Sequence, residues 1–175
     1  WFAIVLVTLM LPHQATIVPQ FILFNNFGWI DSYLPFIVPH ALAVGSGASF
    51  FIYMLVQFMR GIPQELDEAA KIDGATTFKI FYLVILRLVT PAIVSICIFC
   101  FLWTWDDFYS QMLFIKSVDK FTVNLALKLF IDSESATPWG QVFAMALVSV
   151  LPGTIVFFFS QRYFVEGIAT TGLKG

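Results

Sequence analysis

Four side chains in this sequence could exchange protons: His13, His40, Asp106 and Asp107. Imidazoles and carboxylates are the groups that proteins use as general acids, general bases and intramembrane proton relays. Each histidine follows a proline near the end of an apolar segment, where a hydrogen-bonded or interfacial histidine is the more ordinary role. A proton relay or a membrane-embedded enzyme is therefore expected only if the fold brings the four groups within hydrogen-bonding distance.

Two cysteines, Cys97 and Cys100, lie one helical turn apart inside an apolar run. Two thiols alone do not complete a metal site, and no further ligand is close to them in the sequence. Free cysteine packs like a small apolar side chain. We therefore predict that both belong to a membrane helix and that the chain holds no metal.

A polar island, residues 68–75, interrupts the apolar sequence between two long apolar segments at 34–59 and 89–115. Segments of that length span a bilayer, so the island must face water at one side of it. Glu68 and Asp73 offer charge to arginine or lysine on a partner protein, and the small residues between them could enter a groove. The alternative is an ordinary solvated connector. A lipid-binding role is disfavoured because lipid-binding loops are basic.

The first half of the loop that contains the island has the signals of a helix. Pro63 suits the first helical position, and the acidic residues that follow it suit the positive end of the helix dipole. Asp67 and Lys71 are four residues apart in the favourable acid-before-base order. We expect a short helix with an ion pair on its surface.

The second half of the loop predicts a turn and another helix. Gly74 fits a helix stop, because glycine adopts the left-handed conformation without strain. Thr76 or Thr77 can cap an amphipathic helix through residues 78–84. The whole loop, 60–88, is therefore interpreted as helix, glycine turn and helix.

Four apolar segments must position these groups. Of the 175 residues, 59% are hydrophobic and 11% are charged, against about 25% charged in a typical soluble domain. The segments are A (1–24), B (34–59), C (89–115) and D (140–160). Pro12 and Pro19 should bend segment A or end it early. The pattern predicts an all-α, polytopic transmembrane domain.

The charge balance and the ends of the chain add two expectations. A formal net charge of -2 offers no basic footprint for nucleic acid. The chain begins at Trp1 inside an apolar run, so we interpret 1–175 as a single membrane domain that is incomplete at its N-terminus.

Lysine and arginine placement predicts the orientation. The loop between B and C and the C-terminal tail together carry six of these residues, and the opposite side carries three, all in the loop between C and D. By the positive-inside rule, loop 60–88 and the tail are expected to be cytoplasmic.

The run from Ile62 to Ala75 resembles the cytoplasmic EAA loop of binding-protein-dependent ABC importer permeases. In that family a glutamate and two alanines are followed after three residues by glycine, as Glu68, Ala69, Ala70 and Gly74 are here. A later element of the motif corresponds to residues 84–87, where Arg87 replaces the family's proline.

Two further stretches resemble the carbohydrate-uptake branch of that family, the maltose and glycerol-phosphate type of inner-membrane permease. Residues 101–108 (FLWTWDDF) match a tryptophan-rich pattern late in a membrane helix. Residues 161–168 and 173–175 match the C-terminal tail. The three stretches occur in the family's order and spacing.

The resemblance implies the permease subunit of an ATP-driven importer in a bacterial or archaeal inner membrane, taking up a sugar or related polyol. Its implied partners are a cytoplasmic ABC ATPase dimer, a sister permease subunit and an extracytoplasmic solute-binding protein. The ATPase would use the ATP, and this chain would bind no cofactor; the sequence has no phosphate-binding P-loop. The residues implied to dock on the ATPase are Glu68, Ala69, Ala70, Asp73, Gly74 and Ala75. The resemblance further implies membrane helices N-terminal to segment A.

A path for the substrate could involve Trp103, Trp105, Asp106 and Asp107. Ionised side chains inside a span cost about 3 kcal/mol each and are often functional, and indole rings can stack on sugars. The other interpretation is that segment C ends near Trp105 and that both acids lie at the outer headgroup level, where aromatic belts are found.

Two other functions stay open. A secondary transporter or channel that works without an ATPase would need charge deep within the spans, whereas nearly all charge here lies at the faces. A membrane-embedded enzyme would need the two histidines and the two aspartates to converge.

Overall fold

The computed structural model describes residues 2–131 and 139–172, with side chains for 2–128, 131 and 139–161. Within this part the chain is built from helices and turns, which confirms the all-α prediction. The helices are α1 (Phe2–Leu9), α2 (His13–Asn26), α3 (Leu34–Ala41), α4 (Ala48–Arg60), α5 (Gln64–Ile72), α6 (Thr77–Ile80), α7 (Leu86–Asp106), α8 (Phe108–Phe114), α9 (Val123–Ile131) and α10 (Trp139–Gly172).

Segment A is bent where the sequence predicted a break. Helices α1 and α2 meet at 100°. Pro12 stands between them in an extended conformation, because a proline cannot donate the hydrogen bond that would continue α1. Pro19 lies inside α2 without ending it.

The prediction of one continuous segment B, 34–59, is wrong. The chain forms α3 and α4, separated by residues 42–47. Ala43 and Gly47 have left-handed backbone conformations, with φ of 55° and 79°, which no α-helix can contain. The small residues in the middle of the predicted segment therefore form a turn.

Segment C begins earlier and ends earlier than predicted. Helix α6 continues through a π-helical turn, Phe81–Ile85, into α7, so one helical run extends from Thr77 to Asp106. The second helix of the loop therefore continues into the candidate span instead of ending before it. Arg87 lies within this continuous helix, where a proline would have removed a backbone donor. Residues 108–114 form the separate helix α8.

Two helices of the described residues are long and apolar enough to cross a bilayer, Thr77–Asp106 with 30 residues and Trp139–Gln161 with 23. The bent pair α1–α2 makes a third candidate if it is counted as one span. Helix α4 is apolar but has only 13 residues, fewer than the roughly 20 that a perpendicular span needs. The expectation of four full spans is therefore not met by these helices.

Helices α4 and α10 both run antiparallel to α7. At one end of the bundle Trp103 of α7 packs on Phe50 and Phe51 near the start of α4. Trp105 of α7 donates a hydrogen bond to the carbonyl of Ser149, early in α10. The polar island, the end of α4 and the C-terminal end of α10 therefore lie at the other end of the bundle.

The end of the bundle that is remote from the island has an aromatic core around Phe114, which is 3% exposed. Its ring contacts Phe24 of α2 at 5.3 Å and Phe36 of α3 at 5.8 Å, both edge-on. Edge-to-face aromatic pairs stabilise beyond their buried area. This cluster fixes α2, α3 and α8 against each other.

Candidate functional site

The polar island folds as the sequence predicted, into a short helix closed by a glycine turn. Gly74 has φ of 76°, the Gly74 N–H donates to the Lys71 carbonyl, and the Ala75 N–H donates to the Ala70 carbonyl, each at 3.0 Å. These bonds form a Schellman motif, which satisfies the last carbonyls of α5. The position of Pro63 differs slightly from the prediction, because it is the N-cap of α5 instead of its first residue.

Thr76 caps the next helix, since its side-chain oxygen accepts a hydrogen bond from the Lys79 N–H at 3.4 Å. This confirms one of the two capping threonines that the sequence offered. The turn between α5 and α6 is thus held by backbone and capping hydrogen bonds, so its shape is preformed.

The island residues are largely accessible. Glu68, Ala69, Asp73 and Gly74 are exposed, and Ala70 and Ala75 are half-buried. Two large apolar side chains beside them are also exposed, Ile72 at 86% and Phe78 at 77%. An exposed loop that carries both charged and accessible apolar side chains has the composition of a protein-binding surface.

The expected ion pair of α5 does not form. Asp67 and Lys71 are not paired in the described part of the chain, and Asp67 Oδ1 is enclosed without a hydrogen-bond partner. The spacing on a helix makes such a pair available, but pairs of this kind contribute only about 0.2–0.5 kcal/mol to an isolated helix, so their formation is not assured.

A cavity of about 320 Å³ lies at the opposite end of α7. Its walls come from α2, α3, α4, α7, α8 and the turn between α3 and α4. The lining residues are His13, Phe36, His40, Ser46, Phe51, Cys100, Trp103, Thr104, Asp106, Asp107, Phe108 and Tyr109. The fold therefore brings into one cavity the four residues whose convergence the sequence left open.

The four groups share the cavity without bonding to one another. His13 Nε2 lies 3.3 Å from the Ser110 hydroxyl, and His40 Nδ1 donates to the Phe36 carbonyl at 2.7 Å. Asp107 accepts a hydrogen bond from the Ser110 N–H at 3.1 Å and so caps α8. Among the described residues no hydrogen bond joins two of the four, so the geometry does not form a proton relay or an acid–base pair.

The two tryptophans lie on different sides of α7. Trp103 lines the cavity and is 48% exposed. Trp105 is directed toward α10, where it bonds to Ser149, and it lines a second hollow between α7 and α10. Of the substrate-path candidates, Trp103, Asp106 and Asp107 line the first cavity, and Trp105 lines the second hollow, which Asp106 also borders.

The cavity requires two glycines in the turn between α3 and α4. A Cβ at Gly45 would lie 2.8 Å from the His40 ring, and a Cβ at Gly47 would lie 2.8 Å from the Trp103 ring. Both distances are shorter than any real carbon contact. The turn that breaks segment B thus lets backbone approach two cavity side chains.

Cys100 lines the same cavity and Cys97 is exposed outside it. In the part of the chain that the structure describes, no group of three or more histidine, cysteine or acidic side chains could hold a metal ion.

Sequence reasoning missed Asp31, which joins two loops at the cavity end of the bundle. Its carboxylate accepts hydrogen bonds from the Ser117 hydroxyl at 2.5 Å, from the Ser117 N–H at 2.8 Å and from the Lys116 N–H at 2.9 Å. Lys120 pairs with it at 3.0 Å. The bonds from Ser117, Lys116 and Lys120 hold the pKa of Asp31 well below its ordinary value, and the Asp31 carboxylate raises the pKa of Lys120. No local pattern indicates a contact between residues about 90 positions apart.

A second missed network joins α7, α8, α9 and α10. Thr122 donates to Gln111, Asn124 donates to the Trp105 carbonyl, and the Ser149 hydroxyl donates to Asn124. These polar side chains satisfy one another at the end of the span, which explains how Gln111 can be 7% exposed.

Some predictions fall outside the described residues. Residues 173–175 of the tail pattern are among them, as are the side chains of residues 162–168.

Comparison with known proteins matches this chain to membrane components of transport systems. The family described as "Binding-protein-dependent transport system inner membrane component" matches residues 1–170. The alpha-glucoside transport system permease protein AglG of Rhizobium meliloti is 33% identical over 99% of this chain and 46% of its own length. The arabinooligosaccharides transport system permease protein AraQ of Halalkalibacterium halodurans is 30% identical over 100% of this chain and 61% of its own. The chain thus spans about half to three fifths of the length of these relatives.

A solved structure has the same fold. It is a bacterial ABC transporter involved in the import of the acidic polysaccharide alginate, and it superposes with a TM-score of 0.74. The match has 21% sequence identity and covers 93% of this chain and 60% of the other.

Proposed function

Because this chain belongs to the family of binding-protein-dependent transport system inner membrane components, we propose that it is a permease subunit of an ATP-driven ABC importer. Its cargo in this proposal is a carbohydrate or related polyol. Support for the cargo comes from two relatives, an alpha-glucoside and an arabinooligosaccharides transport system permease. Their sequence similarity extends over nearly the whole of this chain.

The observation that carries the proposal is the docking knuckle, defined as Glu68, Ala69, Ala70, Asp73, Gly74 and Ala75. The Schellman motif around Gly74 fixes its shape without a partner. Glu68 and Asp73 are exposed for charged contacts, and Ile72 beside them is an exposed apolar anchor. A small, rigid, mixed surface of this kind suits a groove on a cytoplasmic ATPase.

The remaining parts of the importer follow from what the chain contains. The ATPase dimer would use the ATP, and this chain would bind no cofactor. A sister permease subunit would complete the channel, since the exposed faces of α4, α7 and α10 carry large apolar side chains. An extracytoplasmic binding protein would deliver the sugar at the cavity end of the bundle.

The proposed orientation in a bacterial or archaeal inner membrane puts the docking knuckle and the C-terminal tail in the cytoplasm. Antiparallel packing of α4 and α10 on α7 supports one side for both. The positive-inside rule supports the cytoplasmic assignment, since Arg60, Lys71, Lys79 and Arg87 all lie at the knuckle end.

The test changes the charge of the docking knuckle, by reversing one charge or by adding one. We expect Glu68→Lys and Gly74→Asp to abolish uptake and co-purification with the ATPase while the protein stays in the membrane. Gly28→Asp is the matched control, because Gly28 also has a positive φ, of 67°, and open space around its missing Cβ, but lies in the turn between α2 and α3.

Three results would contradict the proposal. Normal uptake with an intact complex in both knuckle variants would remove the docking role. Uptake that persists without an ATPase partner would favour a secondary transporter or channel. Turnover of a substrate that is chemically changed would favour an enzyme.

A further inference from the structure

We propose that the cavity at the end of α7 is a binding subsite for one uncharged pyranose ring of the transported saccharide. This inference rests on the proposed function and adds a location and a charge preference to it. Its basis is the juxtaposition of an aromatic wall, two carboxylates and two imidazoles in one hollow of about 320 Å³.

The size suits one sugar ring. Sites for small ligands have volumes of roughly 300–1,000 Å³, so this cavity is at the lower end of the range. It can hold a monosaccharide or one unit of a longer chain that extends through the opening. An oligosaccharide could not be enclosed whole.

The wall that would contact the ring is held in place. The Trp103 ring rests between Phe50 and Phe51, each with its centroid at 5.3 Å, and Gly47 lets the backbone approach its edge. Nearly half of the side chain remains exposed. The C–H face of a pyranose packs on an aromatic face of this kind, because the hydrogen atoms of its C–H bonds carry a small positive charge and the face of the aromatic ring is negative.

The polar groups are mainly acceptors. Asp106 has no hydrogen bond or ion pair within the described residues, and Asp107 uses one oxygen to cap α8. His40 donates through Nδ1 to Phe36, which leaves Nε2 of a neutral ring as an acceptor. Sugar hydroxyls are donors that such groups can bind.

Asp106 also lies at a position where the helix dipole disfavours a negative charge. It is the last residue of the 21-residue helix α7, at the negative end of the helix dipole. Residues that contradict local preferences in this way are often retained for function.

The charge of the cavity sets its preference. Two carboxylates and no lysine or arginine line it, so uronates and sugar phosphates would be repelled. A metal ion is the less suitable occupant, because the described residues form no metal-binding group.

Cys100 allows a direct test, since it lines the cavity while Cys97 is exposed outside it. The complete transporter is placed in membranes with Cys97→Ser, and the rate at which a small maleimide labels Cys100 is measured with and without sugars. The probes are methyl α-D-glucopyranoside and maltose, which are uncharged, and glucuronate, which is anionic. The control protein carries Cys97→Ser, Cys100→Ser and Val118→Cys, because Val118 is 62% exposed and lies in the loop before α9, outside the candidate span.

We expect the uncharged sugars to slow the labelling of Cys100 and glucuronate to leave it unchanged. At a sugar concentration about ten times the dissociation constant, mass action slows labelling about tenfold. The labelling rate of the Val118→Cys control should not change with any probe. Protection of both thiols alike, or of neither, would overturn the subsite.

Two variants separate the wall from the charge. Trp103→Ala should abolish protection by the uncharged sugars, and Trp103→Phe should restore part of it. Asp106→Asn should let glucuronate protect Cys100, because one repelling charge is gone. An unchanged thermal midpoint of the detergent-solubilised protein shows that each variant is folded, and unchanged protection in both variants would contradict the assignment.

The outcomes distinguish this inference from the function on which it rests. ATP-dependent uptake without any protection of Cys100 would remove the subsite and keep the importer. Protection of Cys100 in a protein whose uptake needs no ATPase would keep the subsite and remove the importer.

Discussion

At the scale of single residues, Asp31 shows how one side chain can fix two loops. Its φ of 61° is left-handed, a conformation that aspartate tolerates better than most residues because its short side chain can bond locally. Here the carboxylate instead bonds across the sequence to Lys116, Ser117 and Lys120. Lys120 also donates to the Asp31 carbonyl at 2.6 Å. These bonds hold the loop before α3 against the loop before α9.

The Asp31–Lys120 contact should be insensitive to pH across the physiological range. A lowered aspartate pKa gives stability that is present above the ordinary value of 3.8 and is lost as the pH falls through the native pKa. A raised lysine pKa gives stability that is present below 10.5 and is lost as the pH rises through the native pKa. We expect the thermal midpoint of the detergent-solubilised protein to lose this contribution only outside these limits.

The matching variant is Asp31→Asn, which keeps the shape and removes the charge. It should lower the thermal midpoint by a few degrees between pH 3.8 and pH 10.5. It should also make the midpoint less dependent on pH in the acid range. Asp119→Asn, an exposed aspartate in the partner loop, should have a much smaller effect. Equal effects of the two variants would show that the Asp31 bonds are not stabilising.

Gly47 and Gly28 form a second comparison at the residue scale. Both have positive φ, so alanine costs about 1–2 kcal/mol of backbone strain at either position. Only at Gly47 would the new Cβ also lie 2.8 Å from the Trp103 ring. Gly47→Ala should therefore destabilise by more than Gly28→Ala and shift the tryptophan fluorescence. Similar losses in thermal unfolding, with unchanged fluorescence, would contradict the close contact.

At the scale of elements, the sequence predicted what local signals determine. The turn at Gly74, the cap at Thr76 and the bend at Pro12 were found because a single residue type causes each of them. The break in segment B was missed because apolar composition does not distinguish a span from two short helices joined at Gly45–Gly47. The continuity of α6 with α7 was missed because the polarity of a loop does not determine whether its helix ends before the next one.

The π-helical turn Phe81–Ile85 is the least regular part of the helical run from Thr77 to Asp106. A π-turn contains one residue more than an α-turn, so it rotates the knuckle relative to α7 by about 100°. Such turns are frequent at functional sites. In the proposed importer this rotation sets the direction in which the knuckle meets the ATPase.

Deleting Leu83 should convert the turn to regular α-helix and redirect the knuckle. We expect ATP hydrolysis by the purified complex to become uncoupled from uptake, while the protein still reaches the membrane. Leu83→Ala, which keeps the residue count, is the control and should leave coupling intact. Coupled transport in the deletion variant would show that the turn does not set the docking direction.

At the scale of the whole molecule, α7 connects the two surfaces to which function is assigned. The docking knuckle lies before the helical run Thr77–Asp106, and the cavity lies at the far end of that run, about 40 Å away at 1.5 Å per residue. The cavity could not be located from sequence, because its walls come from parts of the chain about 90 residues apart that only tertiary packing brings together. The knuckle could, because all its residues are local.

The opposite ends of α7 make the orientation testable in one pair of variants. In a protein with Cys97→Ser and Cys100→Ser, Asp73→Cys places a thiol on the exposed knuckle and Val118→Cys places one on the exposed loop at the other end. A membrane-impermeant maleimide on intact spheroplasts should label Val118→Cys, and should label Asp73→Cys only after the membrane is opened. The reverse pattern would place the knuckle outside, where no cytoplasmic ATPase could reach it. Labelling of both from outside would show that the helical run from Thr77 to Asp106 does not cross the membrane, since its two ends would then lie on one side.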